Sequence, residues 1–294
     1  MAVTDQQPLV SIITPVRNGA LYLEYTIQSV LEQDYPNIEH IIIDDGSTDD
    51  GATVEILKRY PHLGWRSQEN KGVIATLNEG LAAASGSILG FIAADDMYTV
   101  PSAISAVANY WQSRSDLGCV YGRLLLVDKN GLPSLAQTHL TGPWSKWFLR
   151  YVFFTPLPSL FVSRELLNKE NLWFDATLHL AADWDLAIRL SMTACKFGYL
   201  NQPLGMHRIH AGQLSRDQDA MRVERREICR RHGMNYPLLL MVDRMLSFRH
   251  KFIKVLWMLR TKGIKGLTDE IVGRLRRSNA EVDRLISNKP GRGS

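Results

Sequence analysis

Over the first hundred residues, short apolar runs alternate with longer stretches of helical period. "LVSIITPV" (9–16) is a mostly apolar run that predicts a buried strand, and a helix follows around 20–33 with Leu21, Leu23, Ile27, Val30 and Leu31 turned inward. "EHIIIDD" (39–45) predicts a second strand, followed by a helix near 50–60 that ends before Pro61. "LGWRSQ" (63–68) is a third strand, "VIATLNEGLAAAS" (73–85) a helix stopped by Gly86, and "SILGFIAA" (87–94) a fourth strand. Continuous apolar strands separated by helices predict a parallel sheet covered on both faces. Such sheets bind ligands outside the carboxyl ends of their strands. Three polar clusters fall at those ends: "PVRN" (15–18), "DDGSTDD" (44–50) and "ADD" (94–96).

From about residue 105 the alternation weakens. "CVYGRLLLVD" (119–128) predicts a further strand, and "LPSLFVSRELL" (157–167) a strand running into a short helix. "LAADWDLAIRLSM" (180–192) has a helical period through Trp184, Leu186, Ala187 and Leu190. The chain from 222 onward predicts basic helix. These shifts divide the chain into 1–110, 111–221 and a C-terminal extension, 222–294.

Charge sharpens that last boundary. The 294 residues carry 34 Lys and Arg against 30 Asp and Glu, yet 222–294 alone holds 18 of the bases and 7 of the acids. The body is therefore mildly acidic and the tail strongly basic, which points the tail at an anionic surface. The three cysteines, Cys119, Cys195 and Cys229, form no CxxC pair and predict reduced thiols of a cytoplasmic protein. The N-terminal "MAVTDQQPLV" has neither the basic start nor the apolar core of a signal peptide, and no apolar run reaches membrane-spanning length. Neither GxGxxG nor GxxxxGK[ST] follows a strand, which argues against a dinucleotide oxidoreductase or a P-loop NTPase.

A phosphorylated ligand then needs another holder. Carboxylates and diphosphate oxygens repel, so the adjacent Asp95 and Asp96 suit a nucleotide only through a divalent cation; Mg²⁺ and Mn²⁺ favour such oxygen ligands. The alternative is that one of them, or Thr99, caps the helix begun by "TVPSAISAVANYW", with Pro101 in its first turn. In "DDGSTDD", Asp44 and Asp45 stand where a ligand would lie and could accept hydrogen bonds from a base or ribose. Ordinary turn chemistry, with Thr48 or Asp49 capping the next helix, is the competing explanation.

"VSIITPVRN", "IIIDDGSTDD", "NKGVIATLNEGLAAASGSILGFIAADD" and "FDATLHLAADWDLAIRL" occur in one order, and together they resemble a family 2 glycosyltransferase over about residues 8–215. The resemblance implies an α/β fold of GT-A type, with a Rossmann-like, mostly parallel central sheet flanked by helices and a helical C-terminal extension. It implies inverting transfer of a sugar from a UDP-, GDP- or dTDP-linked donor to a saccharide or lipid-linked acceptor, in bacterial cell-envelope polysaccharide or glycolipid assembly. Thr14, Pro15 and Val16 match the loop lying against the base, although many members carry an aromatic residue in place of Val16. Asp45 matches the base-contacting carboxylate, and Gly72 and Asn78 match the segment lining the donor pocket. Asp95 and Asp96 match the DxD-type motif in an "xDD" version, since Ala94 replaces its usual first aspartate. Asp96 is implied as the direct ligand of Mn or Mg, and Asp95 as the ribose or metal contact. "AADWDLAIRL" matches the segment carrying the catalytic base, which implies Asp183 in that role; Ala182 stands where many members have Glu. Asp185, two residues on, is expected to pair with Arg189 instead. "HRIHAGQLS" (207–215) resembles the loop that places His210 as a phosphate contact or further metal ligand, with Arg208 on the diphosphate.

Two segments remain. Trp144, Trp147, Phe148, Tyr151, Phe153 and Phe154 suit a core helix, a sugar platform or a lipid-facing surface, and Trp111 and Trp173 are expected in the core. Residues 237–260 place Leu238, Val242, Met245, Phe252, Leu256 and Leu259 along one stripe, with Arg244, Lys251 and Lys254 off it. That predicts a peripheral helix on the inner face of the cell membrane, with packing on the body or on a second subunit of a homo-oligomer as the alternative. No nucleic-acid partner is expected. A sugar-1-phosphate nucleotidyltransferase and a catalytically silent nucleotide-sugar-binding protein are the competing functional readings.

Overall fold

The computed structural model describes residues 7–114, 116–132, 146–151 and 157–245. Strands β1 (Val10–Val16), β2 (Ile38–Asp45), β3 (Gly64–Gln68) and β4 (Ile88–Phe91) alternate with helices α1 (Leu23–Leu31), α2 (Ala52–Lys58) and α3 (Val73–Ala83). β5 (Met97–Tyr98), α4 (Ala103–Gln112), β6 (Leu117–Val127), α5 (Lys146–Tyr151), β7 (Leu160–Ser163) and α6 (Arg164–Lys169) follow. The described chain continues through α7 (Ala182–Met192), β8 (Lys196–Arg208) and α8 (Gln218–Arg231).

All eight strands join one sheet in the order β3-β2-β1-β4-β7-β6-β8-β5. The first four pair parallel, as the alternating pattern predicts. β7 then runs antiparallel to both β4 and β6, β8 runs parallel to β6, and β5 closes the edge antiparallel to β8. The sheet is thus mixed. Its antiparallel part is carried by β7, between β4 and β6, and by β5 at the edge.

Successive residues of each central strand face opposite layers. Ile13, Leu89 and Val162 pack with α3 and α7, whereas Ile12, Ile88 and Phe161 pack with Val30 of α1 and with Ile104 and Val107 of α4. A smaller cluster joins Leu23 and Ile27 of α1 to Ile56 and Leu57 of α2. Gly80 sets how closely α3 sits on β1, because a Cβ there would lie 2.3 Å from Ile13 Cγ2. Leu21 and Leu31, expected inward, are exposed at the rims of α1. Trp111 is partly buried against the core, whereas Trp173 is exposed and donates its ring N–H to Asn171.

The chain divides into two compact units, Met1–Leu239 and Leu240–Ser294. The boundary expected at 221/222 falls inside α8, whose Met221, Ile228 and Cys229 belong to the body's core. Most of the basic stripe at 237–260, together with Trp144, Phe153 and Phe154, lies outside the described residues. Among the described residues no helix is long and apolar enough to cross a membrane. None of the three cysteines forms a disulfide, and burial pushes the Cys119 thiol well up.

Candidate active site

Each polar cluster of the sequence does stand at the carboxyl end of a strand. After β1 and β2 the two loops are stitched together. Asn18, at positive φ, donates its backbone N–H to Ser47 Oγ and accepts at Oδ1 from Thr48 N. Asp44 is buried and accepts from Ser47 N, Ser47 Oγ and Ser67 Oγ, so its carboxylate shapes the turn. Asp49 accepts from the N–H and hydroxyl of Thr53 in the first turn of α2, as capping chemistry requires.

Asp45 has a different neighbourhood. Its Oδ1 accepts from Lys71 N at 2.8 Å and Gln68 Nε2 at 3.2 Å, and its Oδ2 from Gly72 N at 2.9 Å. Burial works against the charge, but these donors outweigh it and hold the carboxyl below its ordinary range. Gly72 sits at φ 90° and ψ 151°, a conformation open to glycine, and this turns its amide onto Asp45. Asp45 thereby fixes the entry to α3. Asn78, the sixth residue of that helix, accepts from Phe174 N at 2.9 Å and donates to Phe174 O at 2.8 Å. Both ends of its amide tie α3 to the segment before α7. Thr14 is fully buried and bonded to His40, and Val16 is buried in the small α1–α2 cluster; Pro15 is half-buried.

At the end of β4 the two adjacent aspartates separate clearly. Neither caps α4, whose N-cap is Ser102; Thr99 donates instead to the Pro203 and Leu204 carbonyls. The Asp96 side chain is only 4% exposed, and that of Asp95 is 24% exposed. Asp96 accepts at Oδ1 from Arg208 N and His207 Nδ1, both at 3.0 Å. Burial pushes the Asp96 carboxyl up, and His207 opposes the shift. Burial also disfavours the charged form of His207. The Asp96 carboxylate, with Asp95 and Asp183 adding to it, outweighs that penalty and lifts His207 to about 9. The charged form of His207 is thus favoured by its bond to Asp96 and by the charges of Asp95 and Asp183.

His207 was not among the sequence candidates. The strand that carries it, β8, was also unforeseen, because Pro203 and two glycines interrupt its pattern and its apolar positions do not alternate. The doubled histidines of "HRIH" were the one available signal.

His210 and Arg208 both contact the Asp95–Asp96 turn. His210 Nε2 lies 2.8 Å from Asp95 Oδ2, and its Nδ1 accepts from Gly212 N, so the ring's proton is assigned to Nε2. Both nitrogens are engaged within the protein. Arg208 is buried; its guanidinium donates to the carbonyls of Asp95 and Lys129 and stacks 4.6 Å over the Tyr22 ring. Tyr22 also packs against His210 at 4.9 Å. Arg208 thus braces the Asp95–Asp96 turn from beneath rather than reaching out toward a ligand.

Asp183 is the half-buried second residue of α7. Its Oδ1 accepts from Trp184 N at 2.8 Å. Burial pushes its carboxyl up to about 7; the Trp184 amide and His207 oppose the shift, and Glu224 reinforces it. Two residues on, Asp185 is buried between Arg189 Nε and His232 Nε2, each at 2.7 Å, which is the expected i,i+4 pair with an added histidine. The site thus gathers Asp95, Asp96, His207 and Asp183 along one end of the sheet. Asp45, Gly72 and Asn78 shape its other border.

The fold and this edge define a glycosyltransferase-type α/β domain. Residues 11–163 match the model of "Glycosyl transferase family 2", and the chain belongs to that family. This sets aside the nucleotidyltransferase alternative. A glycosyltransferase of Rickettsia bellii is 39% identical over 126 residues, covering 42% of this chain and 18% of its own length. TuaG of Bacillus subtilis, named for teichuronic acid biosynthesis, is 40% identical over 100 residues, or 32% of this chain and 39% of TuaG. The chain thus spans well under half the length of these relatives. Among solved structures, S. aureus TarS 1-349 in complex with UDP-GlcNAc superposes with a TM-score of 0.60 at 19% identity, covering 73% of this chain and 65% of TarS. The mannosyltransferase PcManGT from Pyrobaculum calidifontis, in complex with GDP-Man and Mn²⁺, gives 0.56 at 18% identity over 92% of this chain and 81% of its own. At these identities the likeness concerns the fold. The family match ends before α7, so the case for Asp183 and His207 is built on their own geometry.

Proposed function

We propose that the protein transfers a sugar from a nucleotide-diphospho-sugar to an acceptor hydroxyl with inversion at the anomeric carbon. The observation that carries this reading is Asp183, a carboxyl lifted to about 7 at a helix start beside the His207–Asp96 pair. A general base works best with a pKa near the working pH, and an acceptor hydroxyl must lose its proton as it attacks.

The donor set at Asp95 and Asp96 suits Mn²⁺ or Mg²⁺. Both offer hard carboxylate oxygens, and Asp95 Oδ1 receives no hydrogen bond among the described residues. Among the described residues no group of three or more His, Cys, Asp or Glu is placed to hold a metal by itself, so diphosphate oxygens would complete the shell. The cation, when bound, neutralises charge on the departing nucleoside diphosphate. Asp96 and Asp95 would hold it, and His210 and Gln213 fix the Asp95 rotamer. Asp45 holds the border where base and ribose would lie. TarS carries UDP-GlcNAc and PcManGT carries GDP-Man with Mn²⁺, which supports a UDP- or GDP-sugar as donor.

TuaG's name supports an acceptor in bacterial envelope polysaccharide, and a lipid-linked saccharide fits the basic stripe at 237–260 lying on an anionic membrane from the cytoplasmic side. The test is donor turnover with and without acceptor, in wild type and Asp183→Asn, before and after chelation. Loss of transfer in the variant and after chelation is expected. An unchanged transfer rate in Asp183→Asn would remove the base, and turnover indifferent to chelation would remove the cation from Asp95 and Asp96.

A further inference from the structure

Helix α7 begins without a cap of its own. Its N-cap is Ala181, which has no side-chain acceptor, and the approach "HLA" (179–181) presents three backbone N–H groups in succession. Backbone amides in the segment leading into a helix need a partner when they are turned away from water. Here the partner comes from another element. Glu224 of α8 accepts from His179 N at 2.7 Å through Oε1, and from Leu180 N and Ala181 N at 2.9 Å through Oε2.

The rest of α8 is built to hold that carboxylate in place. Met221 and Ile228, three residues before and four after Glu224, are buried in the core that contains Leu178 and Ala181. Arg225 stacks on the ring of Trp184, 5.7 Å from its centroid. About two turns further on, Arg231 bonds to Asp175 and His232 to Asp185. Positions 221, 224, 225, 228, 231 and 232 share one helix face. That face covers the whole entry to α7, from Asp175 to Asp185.

We propose that Glu224 is a positioning residue for the transfer reaction, fixing the start of α7 and thereby the carboxylate of Asp183. The inference rests on Asp183 being the base. Asp183 lies two residues after the last amide that Glu224 holds, so its backbone has little freedom once those three amides are fixed. The carboxylate also faces the positive end of the α7 dipole, which otherwise favours the ionised form of a first-turn acid. Glu224 thus competes with Asp183 for that end of the helix, and its charge opposes ionisation of Asp183. Geometry and charge act in the same direction, keeping the base aimed and proton-accepting. Glu224 itself touches no reacting atom, and it lies outside the segment matched by the family model.

A double-mutant cycle on the full chain separates this role from a merely structural one. Glu224→Gln keeps the size and one acceptor, and Glu224→Asp keeps the charge on a shorter stem. Transfer kcat should fall about tenfold or more in Glu224→Gln and be partly restored in Glu224→Asp. Donor affinity, measured by thermal stabilisation with nucleotide sugar, should stay within about twofold. In the Asp183→Asn background, Glu224→Gln should cost less than about twofold more. A wild-type kcat in folded Glu224→Gln would overturn the proposal, as would a loss that multiplies undiminished in the double variant. Full activity of Asp183→Asn alone would overturn it through the base assignment, a failure readable without the cycle.

Discussion

The two borders of the candidate site use the same residue type in opposite ways. On the donor side, Asp45 accepts from two backbone amides and Gln68, partners 23–27 residues away in sequence, and its carboxyl is held low. On the catalytic side, Asp183 accepts from the neighbouring Trp184 amide, lies near the Glu224 carboxylate, and is pushed up to about 7. Burial acts against the charge in both. What differs is how many N–H donors are aimed at each carboxylate, and whether a second acid competes for them. A low carboxyl is a permanent fixture that shapes a border; a carboxyl near 7 can take and release a proton.

The largest effect that would break this contrast comes from Asp183→Asn. Removing a general base costs about 10²–10⁴-fold in kcat, whereas donor affinity should hardly change. In wild type, kcat should rise as pH climbs through about 7, because the base works only after losing its proton. The variant should lack that rising limb. An equal loss of donor affinity would place Asp183 on the donor border instead.

Replacing His207 with Gln tests whether the catalytic border is one electrostatic unit. Asp96 would keep the Arg208 amide but lose its counter-charge, leaving a buried carboxylate at a cost of about 1–3 kcal/mol in stability. Thermal unfolding and the metal concentration for half-maximal activity both read this out. An unchanged melt would mean that the pair is dispensable.

The same contrast explains what could be seen in the sequence. Much of the donor border joins neighbouring strand ends. "DDGSTDD" and "NKG" carry turn chemistry that is visible within each loop, so strand ends and polar loops were foreseen from spacing alone, although the Asn78–Phe174 pairing was not. The catalytic border joins residues 111 apart for Asp96 and His207, and 45 apart for His179 and Glu224. Nothing in the local pattern of "QDAMRVERREICRR" marks Glu224 as the acid that turns inward among its charged neighbours. Chemistry of that kind also gives Arg208 and His210 partners that spacing did not announce, since both bond to the Asp95 turn. Asp95 and Asp96 were legible as a pair because two like charges exceed what a helix cap needs. Their division into a buried member and a half-exposed one needed β8, and so the fold.

Asn78 lies where the two borders meet, and its variant has a smaller expected effect. Asn78→Ala leaves the N–H and C=O of Phe174 without their partners, which should cost about 1–2 kcal/mol in unfolding free energy. Nucleotide-sugar affinity should stay within about twofold. A large drop in affinity at unchanged stability would favour the donor-pocket role that the family resemblance implies over the brace.

The smallest effect has the most diagnostic sign. Asp183 ionises near 7 in the folded chain but near the ordinary 3.8 when unfolded, so folding favours its protonated form. Below about pH 4 both states hold the proton and Asp183 costs nothing. As pH rises from there toward 7, the unfolded chain ionises first and wild type loses stability; above 7 the loss is complete. Asp183→Asn escapes it and, because solvent screens this half-buried carboxyl and discounts most of the shift, should melt roughly 2–4 °C higher than wild type at pH 8, equivalent to about 1 kcal/mol for a chain of this size. The gain should vanish near pH 4. A variant that melts lower at pH 8, or whose gain persists unchanged at pH 4, would mean that Asp183 is held like Asp45, and the contrast between the two borders would be lost. The expected sign is that of a site where stability is sacrificed for a proton acceptor.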